Sequence, residues 1–327
     1  MEGLRQLARS SFIGQTFSPP DSDFELINIV TFPSSPTSNT LLRMERDELE
    51  RAIDNSNPSG GGADATLQLV NVRRQDNETL LCSPNMFLHI FKIFGLEPYI
   101  LYMIRSNCYG FHQFPANKSS VEDSSYSFFL GTVLYSLIWS FNPKTRATRA
   151  ILMPRRSNGL KNGEAAFRDF RVILQTYQDH IRSPCLPAFV ACIHIIHFVD
   201  EYIAVELQDI RQMEINTGHG PWNNPLVSKA GFEPTKLTSW SGQVGAWLVN
   251  LANQLRHEDI AASLTAFILS RQKHTWCQDI QASHLARHDE SMETFLSVIP
   301  VLQNQVANGK SYVNYLQERA RSQSTVV

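Results

Sequence analysis

A heptad repeat in the last 45 residues is the feature of this sequence that most restricts its fold. Apolar residues recur seven positions apart, with others three positions after them, which is the a/d pattern of one long amphipathic helix. They are Leu285, Met292, Phe295, Ile299, Leu302, Val306, Val313 and Leu316. Two further seam positions hold His288 and Gly309. Pro300 lies inside the run, so we predict that the helix kinks or restarts there.

Such a seam needs a partner helix, because an apolar stripe is stable only when it is buried. The same chain offers candidates. Residues 188–216 predict a strongly apolar helix, and residues 234–273 predict a long helix in which Leu248, Leu255, Ala262 and Leu269 also recur at seven. A loop at 218–225 separates these two helices. The seam therefore packs either within the chain or against copies of itself, as a coiled coil.

The chain before residue 186 has a different character. We predict a flexible leader over 1–23, an α/β domain with a mixed β-sheet over 24–185, and long antiparallel helices over 186–327, ending in a stalk-like helix. Strands are predicted at 24–32, 65–73, 126–141 and 148–153, with a turn at 142–145. Helices are predicted at 41–53, 84–94, 98–107 and 164–181, and loops at 33–40, 55–62 and 154–163. Ser83 and Gly95 supply the caps of the helix at 84–94.

Several classes of protein are excluded by composition. The formal net charge of −2 argues against a nucleic-acid binder, which normally carries a basic excess. The five cysteines are scattered without a CxxC pair, which indicates reduced thiols in a cytoplasmic protein. No apolar signal segment opens the chain. The uncharged stretch 126–141 is shorter than the roughly 20 residues of a membrane span, so we interpret it as buried β-structure.

At this point the layout resembles a known family. A mixed α/β domain followed by long antiparallel helices and a final heptad helix is similar to the cytosolic part of CorA-type divalent-cation transporters, and more narrowly to fungal CorA-like proteins. The segments that carry the resemblance are 83–100, with Met86-Phe87 before an apolar run and Pro98-Tyr99-Ile100, then Gly245-Ala246-Trp247-Leu248, and the stalk-like 302–319. The likeness covers roughly residues 65–327.

The sequence also departs from that family. The stalk helix of CorA-type transporters continues into membrane helices with a Gly-Met-Asn signature, and this chain has no Gly-Met-Asn. No pore residue can be carried over. The resemblance implies a non-catalytic soluble protein that acts by protein association and by sensing a divalent cation such as Mg²⁺, or else a truncated form of a membrane transporter. It also implies a homo-oligomer through helix 284–323, with membrane association only through a partner or a missing C-terminal segment.

Side-chain patterns offer one alternative. His194, His197 and Glu201 fall at i, i+3 and i+7 on one predicted helix and could present two imidazoles and a carboxylate to a metal, as in a metal-dependent enzyme. A packed histidine pair on a core helix explains the same spacing. An acidic side follows along this helix, formed by Glu201, Glu206, Asp209 and Glu214, and a polar patch lies at 257–259. Neither a catalytic triad motif nor a phosphate-binding loop is present.

Overall fold

A computed structural model describes residues 2–18, 24–32, 36–54, 63–76, 78–118, 124–155, 163–220, 234–270, 276–280 and 282–325. The chain forms two compact units, each assembled from separate segments. Unit 1 contains residues 1–190 and 267–297, and unit 2 contains residues 191–266 and 298–327. The α/β domain predicted at 24–185 thus lies within unit 1, which also takes in part of the chain that follows it.

Unit 1 is built on a mixed sheet. Its strands are β1 (Thr16–Ser18), β2 (Phe24–Thr31), β3 (Ser38–Met44), β4 (Ala65–Asn71), β5 (Thr79–Leu81), β6 (Gly110–Gln113), β7 (Asn117–Lys118), β8 (Ser124–Gly131), β9 (Tyr135–Asn142) and β10 (Ala147–Pro154). The main sheet has the order β3-β2-β4-β10-β9-β8-β6, with β7 on β8, and β1 pairs with β5 separately. In the described residues its pairs are antiparallel except β4 with β10, where Leu67 faces Thr148 in parallel register.

In the described residues, five helices precede the long ones. They are α1 (Glu2–Phe12), α2 (Arg46–Asp54), α3 (Pro84–Ile93), α4 (Tyr99–Arg105) and α5 (Gly163–Thr176), with a 3-10 turn at Gln178–His180. The predicted caps of α3 are confirmed. Met86 N donates to Ser83 Oγ at 3.3 Å, and Gly95 adopts a φ of +64°, a conformation that favours glycine at a helix C-terminus.

The core of unit 1 fills both faces of the sheet. On one face, Val70, Phe129, Ile138 and Ile151 join apolar residues of α1, α3 and α4. On the other, the Trp139 ring stacks on Phe128 at 4.9 Å, and Phe267 lies 5.5 Å from Phe128. Strand β9 is buried along nearly its whole length. The buried β-structure predicted at 126–141 is confirmed, but the single strand predicted there is wrong, because the chain turns at 132–134 and forms β8 and β9. The absence of charge in this stretch reflects burial in a protein core.

The prediction of a flexible leader is wrong over residues 2–18. This segment forms α1 and β1, and α1 buries Ala8 and Phe12. Arg5 makes a bidentate pair with Glu97, through Nε to Oε1 and Nη2 to Oε2, both at 2.8 Å. Glu97 is fully buried, so α1 supplies the charge that makes this burial tolerable. The sequence analysis missed α1 because the segment is mostly polar and its apolar face is narrow. Residues 1 and 19–23 of the leader lie outside the described part.

The helix predicted at 41–53 is partly wrong. Its first residues belong to β3, where Leu41 pairs with Ile27 of β2, and α2 begins only at Arg46. The charged composition favoured a helix, but the backbone groups of the β2 edge are satisfied by β3 instead, so tertiary pairing outweighs local propensity. The loop predicted at 55–62 lies outside the described residues, as do 156–162 and 221–225 of the loops predicted at 154–163 and 218–225. Of the loop predicted at 33–40, only 33–35 lie outside the described residues, and the prediction is wrong over 38–40, which belong to β3.

Long helices follow the sheet, as predicted, and the predicted fold class is confirmed. They are α6 (Leu186–Thr217), α7 (Pro234–Leu269), the short α8 (Trp276–Asp279) and α9 (Ala282–Ser324). Of the two outcomes predicted at Pro300, a restart of the helix is wrong, because α9 continues through this residue as one helix. Pro300 is exposed, while Ile299 and Leu302 beside it are buried. Their burial offsets the backbone hydrogen bond that proline removes.

One helix in the described part of the chain, α6, is long and apolar enough to cross a membrane by length and composition alone. Of its most apolar 18-residue window, 61% is buried inside the protein. A core helix has this same composition, and its apolar side chains here serve as core.

Candidate functional site in the three-helix unit

Unit 2 is formed by segments of α6, α7 and α9, and each presents a buried seam with heptad-like spacing. The seam of α6 contains Val199, Ile203, Glu206, Ile210, Met213 and Thr217. The seam of α7 contains Val244, Trp247, Leu251, Gln254, Glu258, Ala261 and Thr265, and that of α9 contains Val306, Gly309, Val313, Leu316, Ala320 and Gln323. Several of these inward positions are polar. Buried polar groups cost free energy unless they are paired, so they mark the candidate site.

The C-terminal seam packs within the chain. In unit 1 the Phe295 ring stacks on Phe189 with centroids 4.5 Å apart. In unit 2, Thr217 Oγ1 donates to Gln323 Oε1 at 2.8 Å. Of the two alternatives that the sequence left open, the structure shows the intrachain packing.

Glu258 is the most unusual group of this unit. Its side chain projects from α7 against α9 at Gly309, where an added Cβ would overlap the Glu258 carboxyl group. Glu258 is 1% exposed, and its Oε2 has no hydrogen-bond partner among the described residues. The absence of a side chain at Gly309 is therefore what lets a carboxyl group enter this seam.

The surroundings of Glu258 favour its neutral form. Burial raises its pKa to about 8, and the nearby carboxylates of Asp200 and Asp259 act in the same direction. Lys310 opposes the rise, but it is already paired with Asp259 at 2.7 Å. Cys192 of α6 also lies close enough that Glu258 adds to the burial that raises its pKa to about 12. At neutral pH the seam thus holds a protonated carboxyl group.

Glu206 repeats this arrangement on α6. Asn250 of α7 donates to its Oε1 at 2.7 Å, while its Oε2 makes no hydrogen bond within the described residues. Burial raises the pKa of Glu206, and Asp209 raises it further, against the effect of the Asn250 hydrogen bond. Two buried carboxyl groups on different helices of unit 2 therefore share the same tendency to hold a proton.

Glu214 is different, because it has a full partner. Arg319 of α9 donates Nε to Glu214 Oε1 at 2.8 Å and Nη2 to Oε2, in the bidentate geometry that makes charge-assisted pairs strong. Both side chains are largely buried, at 5% and 11% exposure. The hydrogen bond to Glu214 raises the pKa of Arg319. This pair fixes α6 against α9.

The predicted metal ligands do not point the same way. His194 is buried, whereas His197 is 68% exposed and lies 3.7 Å from Glu201 through its Nδ1. The structure thus brings His197 and Glu201 together without His194. In the part of the chain that the structure describes, no three His, Cys, Asp or Glu side chains are grouped as a metal ion would require.

The acidic residues predicted to form one side of α6 differ in burial. Glu206 and Glu214 point inward, and Asp209 is exposed. The polar patch at 257–259 divides likewise, with His257 and Glu258 buried and Asp259 exposed. One feature of the sequence could have indicated that Glu258 is buried. Gly309 is a seam position without a side chain, and it leaves room for a group of the opposite helix.

A second face of α9 is exposed and partly apolar. Val301, Tyr312 and Tyr315 are 58%, 38% and 49% exposed. Tyr312 comes three turns after Val301 and Tyr315 one turn later, so the three side chains lie on one side of the helix. The two tyrosine rings stack at 6.0 Å, and the Arg319 guanidinium lies 5.4 Å from the Tyr315 ring centre. We call Val301, Tyr312 and Tyr315 the outer stripe.

No protein-family model matches this chain, and neither does any curated protein sequence. Among solved structures, one described as the structure of the full-length CmaX protein is similar, with a TM-score of 0.52 and 13% sequence identity. The match covers 94% of this chain and 78% of that one. At this identity the likeness concerns the fold.

Proposed function

We propose that this chain is a non-catalytic association domain of CorA-like type, which assembles with copies of itself through α9 and responds to a divalent cation such as Mg²⁺. The observation that carries the proposal is the outer stripe, an exposed apolar and aromatic face on the same helix whose seam is already buried. The shared fold with the CmaX structure and the sequence resemblance to CorA-like proteins support the same class.

The outer stripe is the suitable face of α9 for self-association. The seam itself is occupied by intrachain contacts, so an oligomer built through it would have to expose Phe295 and Leu316 to water first. The outer stripe needs no such opening. Tyrosine also makes an effective interface residue, because its large side chain buries much area and keeps a polar group for hydrogen bonding.

The cation part of the proposal concerns exposed carboxylates. Hard divalent ions prefer oxygen ligands. On α6, Asp209 is exposed and the Glu201 side chain is 41% exposed. Since the described part of one chain holds no complete ligand set, we propose that such carboxylates bind the ion together with those of a second copy. Mg²⁺ would then stabilise the assembly by binding it better than the free chain.

Sedimentation velocity across protein concentration tests this function. The wild-type chain should show a concentration-dependent oligomer, enhanced by millimolar Mg²⁺ over a matched ionic strength of NaCl. The double variant Tyr312→Ser/Tyr315→Ser should remain a monomer. Val249→Ser serves as the matched control, because Val249 is an exposed apolar residue of α7, 62% accessible. A wild-type chain that stays monomeric at every concentration would refute association, and indifference to Mg²⁺ would remove the sensing part.

A further inference from the structure

Unit 1 contains a cluster of cationic side chains around one carboxylate, away from the helices just discussed. Asp64 lies immediately before β4, and its side chain is 2% exposed. Arg146 reaches it from the turn between β9 and β10, Arg182 from the segment after the 3-10 turn, and Arg287 from α9. Elements far apart in the sequence thus converge on a single acidic group.

The contacts are close. Arg182 Nε donates to Asp64 Oδ2 at 2.6 Å, and Arg287 Nη1 donates to the same oxygen at 2.9 Å. Arg146 Nη1 binds the other oxygen, Oδ1. His284 Nδ1 lies 3.5 Å from Oδ1 and 3.1 Å from Arg146 Nη1. Burial acts to raise the pKa of Asp64, but the hydrogen bonds from Arg182 and Arg287 outweigh it and lower the pKa.

The charges in this cluster do not balance. Three guanidinium groups, each permanently cationic, share one carboxylate, which leaves an excess of two positive charges. Asp179 gives Arg182 only its backbone carbonyl, at 3.3 Å, while its carboxylate accepts a hydrogen bond from Thr37. Arg146 Nε is buried and makes no hydrogen bond with the described residues. The cluster therefore has donor groups and positive charge to spare.

A small cavity lies at this cluster. It is lined by Asp64, Phe141, Arg146, Arg182, Ile280, His284, Arg287 and His288, and its volume is about 10 Å³. Because this is the space in which the centre of a water-sized sphere can lie, the cavity holds one particle slightly larger than a water molecule, such as a monatomic anion. A polyatomic oxyanion such as phosphate does not fit inside. Phe141 and Ile280 supply apolar wall, which suits a weakly hydrated ion better than a strongly hydrated one.

We propose that this cavity binds a monatomic anion of the chloride type, which neutralises part of the excess charge of Arg146, Arg182 and Arg287. The bound ion strengthens the connection of α9 to the β4 and β10 region of unit 1. Because Asp64 competes for the same guanidinium groups, it weakens the binding of the anion. The site makes the stability of unit 1 depend on chloride.

The test follows thermal unfolding of the full chain in sodium chloride and in sodium methanesulfonate at equal ionic strength, with ³⁵Cl NMR line width as a direct readout of binding. The wild-type chain should gain stability saturably in chloride alone. Arg287→Gln, at the most exposed of the three arginines, should raise the half-saturating chloride concentration at least about tenfold, as expected for the loss of one charge-assisted hydrogen bond. Arg168→Gln, at an arginine of α5 that is 66% exposed, is the control and should match the wild type.

A second variant separates ion binding from simple structural support. Asp64→Asn removes the competing carboxylate, so its half-saturating chloride concentration should fall below that of the wild type even though the chain is less stable without salt. Equal unfolding curves in chloride and methanesulfonate, or the same chloride response in Arg287→Gln as in the wild type, would overturn the proposal. Stabilisation by phosphate alone would overturn it too, because phosphate exceeds the cavity.

Discussion

Replacing Glu258 by glutamine should make the free energy of unfolding less dependent on pH between pH 5.5 and 7.5. In the folded chain the pKa of Glu258 is raised from 4.5 to about 8 by burial beside Gly309 and by the carboxylates of Asp200 and Asp259. In the unfolded chain the same carboxyl group is solvated. Over this range the folded state keeps a proton that the unfolded state has released.

The sign follows from proton linkage. Because the folded state binds more protons, the free energy of unfolding falls as pH rises, by about 1.4 kcal/mol per pH unit for one group. The full benefit is present below the unfolded pKa and is lost as pH approaches about 8. Between pH 5.5 and 7.5, deprotonation linked to Glu258 should therefore lower the free energy of unfolding of the wild type by roughly 2.5 kcal/mol. Glutamine has nearly the same shape and no charge to lose.

Urea unfolding of the full chain at pH 5.5, 6.5 and 7.5 measures this difference. Glu206, whose pKa is also raised, and His180, whose pKa is lowered by burial, are present in both proteins and cancel in the comparison. The Asp200 carboxylate is one cause of the raised pKa of Glu258, so the raised pKa of Asp200 belongs to the difference that the experiment measures. Glu318→Gln, at a carboxyl group of α9 that is 72% exposed, serves as the control and should keep the wild-type slope. If the Glu258→Gln variant shows the same slope as the wild type, Glu258 does not hold a proton in the fold.

Three further substitutions should change the free energy of unfolding in predictable directions. Arg319→Ala should lower the free energy of unfolding by about 3–5 kcal/mol, measured by urea denaturation, because it leaves the buried Glu214 carboxylate without its bidentate partner; a loss below about 1 kcal/mol would show that the pair is solvated. Gly131→Ala should cost about 3 kcal/mol or more in the same assay, since its Cβ would overlap the backbone carbonyl of Cys108 and the backbone cannot yield. Gly242→Ala in α7 meets nothing within 4 Å and should instead stabilise the chain by about 1 kcal/mol; equal effects of the two substitutions would contradict this account.

The elements that the sequence predicted well are those whose causes are local. The cap at Ser83 and the positive φ at Gly95 are set within one helix turn. The turn at Asn142, whose Oδ1 accepts from Lys144 N at 3.0 Å, is set within three residues. The long amphipathic helices follow from their periodicity. Neighbouring residues decide these features, so a one-dimensional pattern is enough to find them.

The elements that it missed depend on distant partners. Strand β3 exists because β2 offers an unpaired edge, and α1 is ordered because Glu97 is buried 92 residues away and needs Arg5. Neither partner is visible in a local window. From its own sequence, such a polar segment is predicted to be flexible or helical. Its actual structure depends on the distant residues that it contacts.

The sequence alone determined that the chain has an α/β part, that long helices follow it, and that α9 carries a seam. Only the tertiary structure decided which residues those helices turn inward. In α7 the apolar pattern pointed to Leu248, Leu255 and Ala262, which are half-buried, while the buried seam contains Gln254 and Glu258. Periodicity locates an apolar face to within about one residue, or 100° of helix rotation. Which polar side chain the face admits depends on the opposite helix, since a carboxyl group fits only where a residue such as Gly309 leaves space.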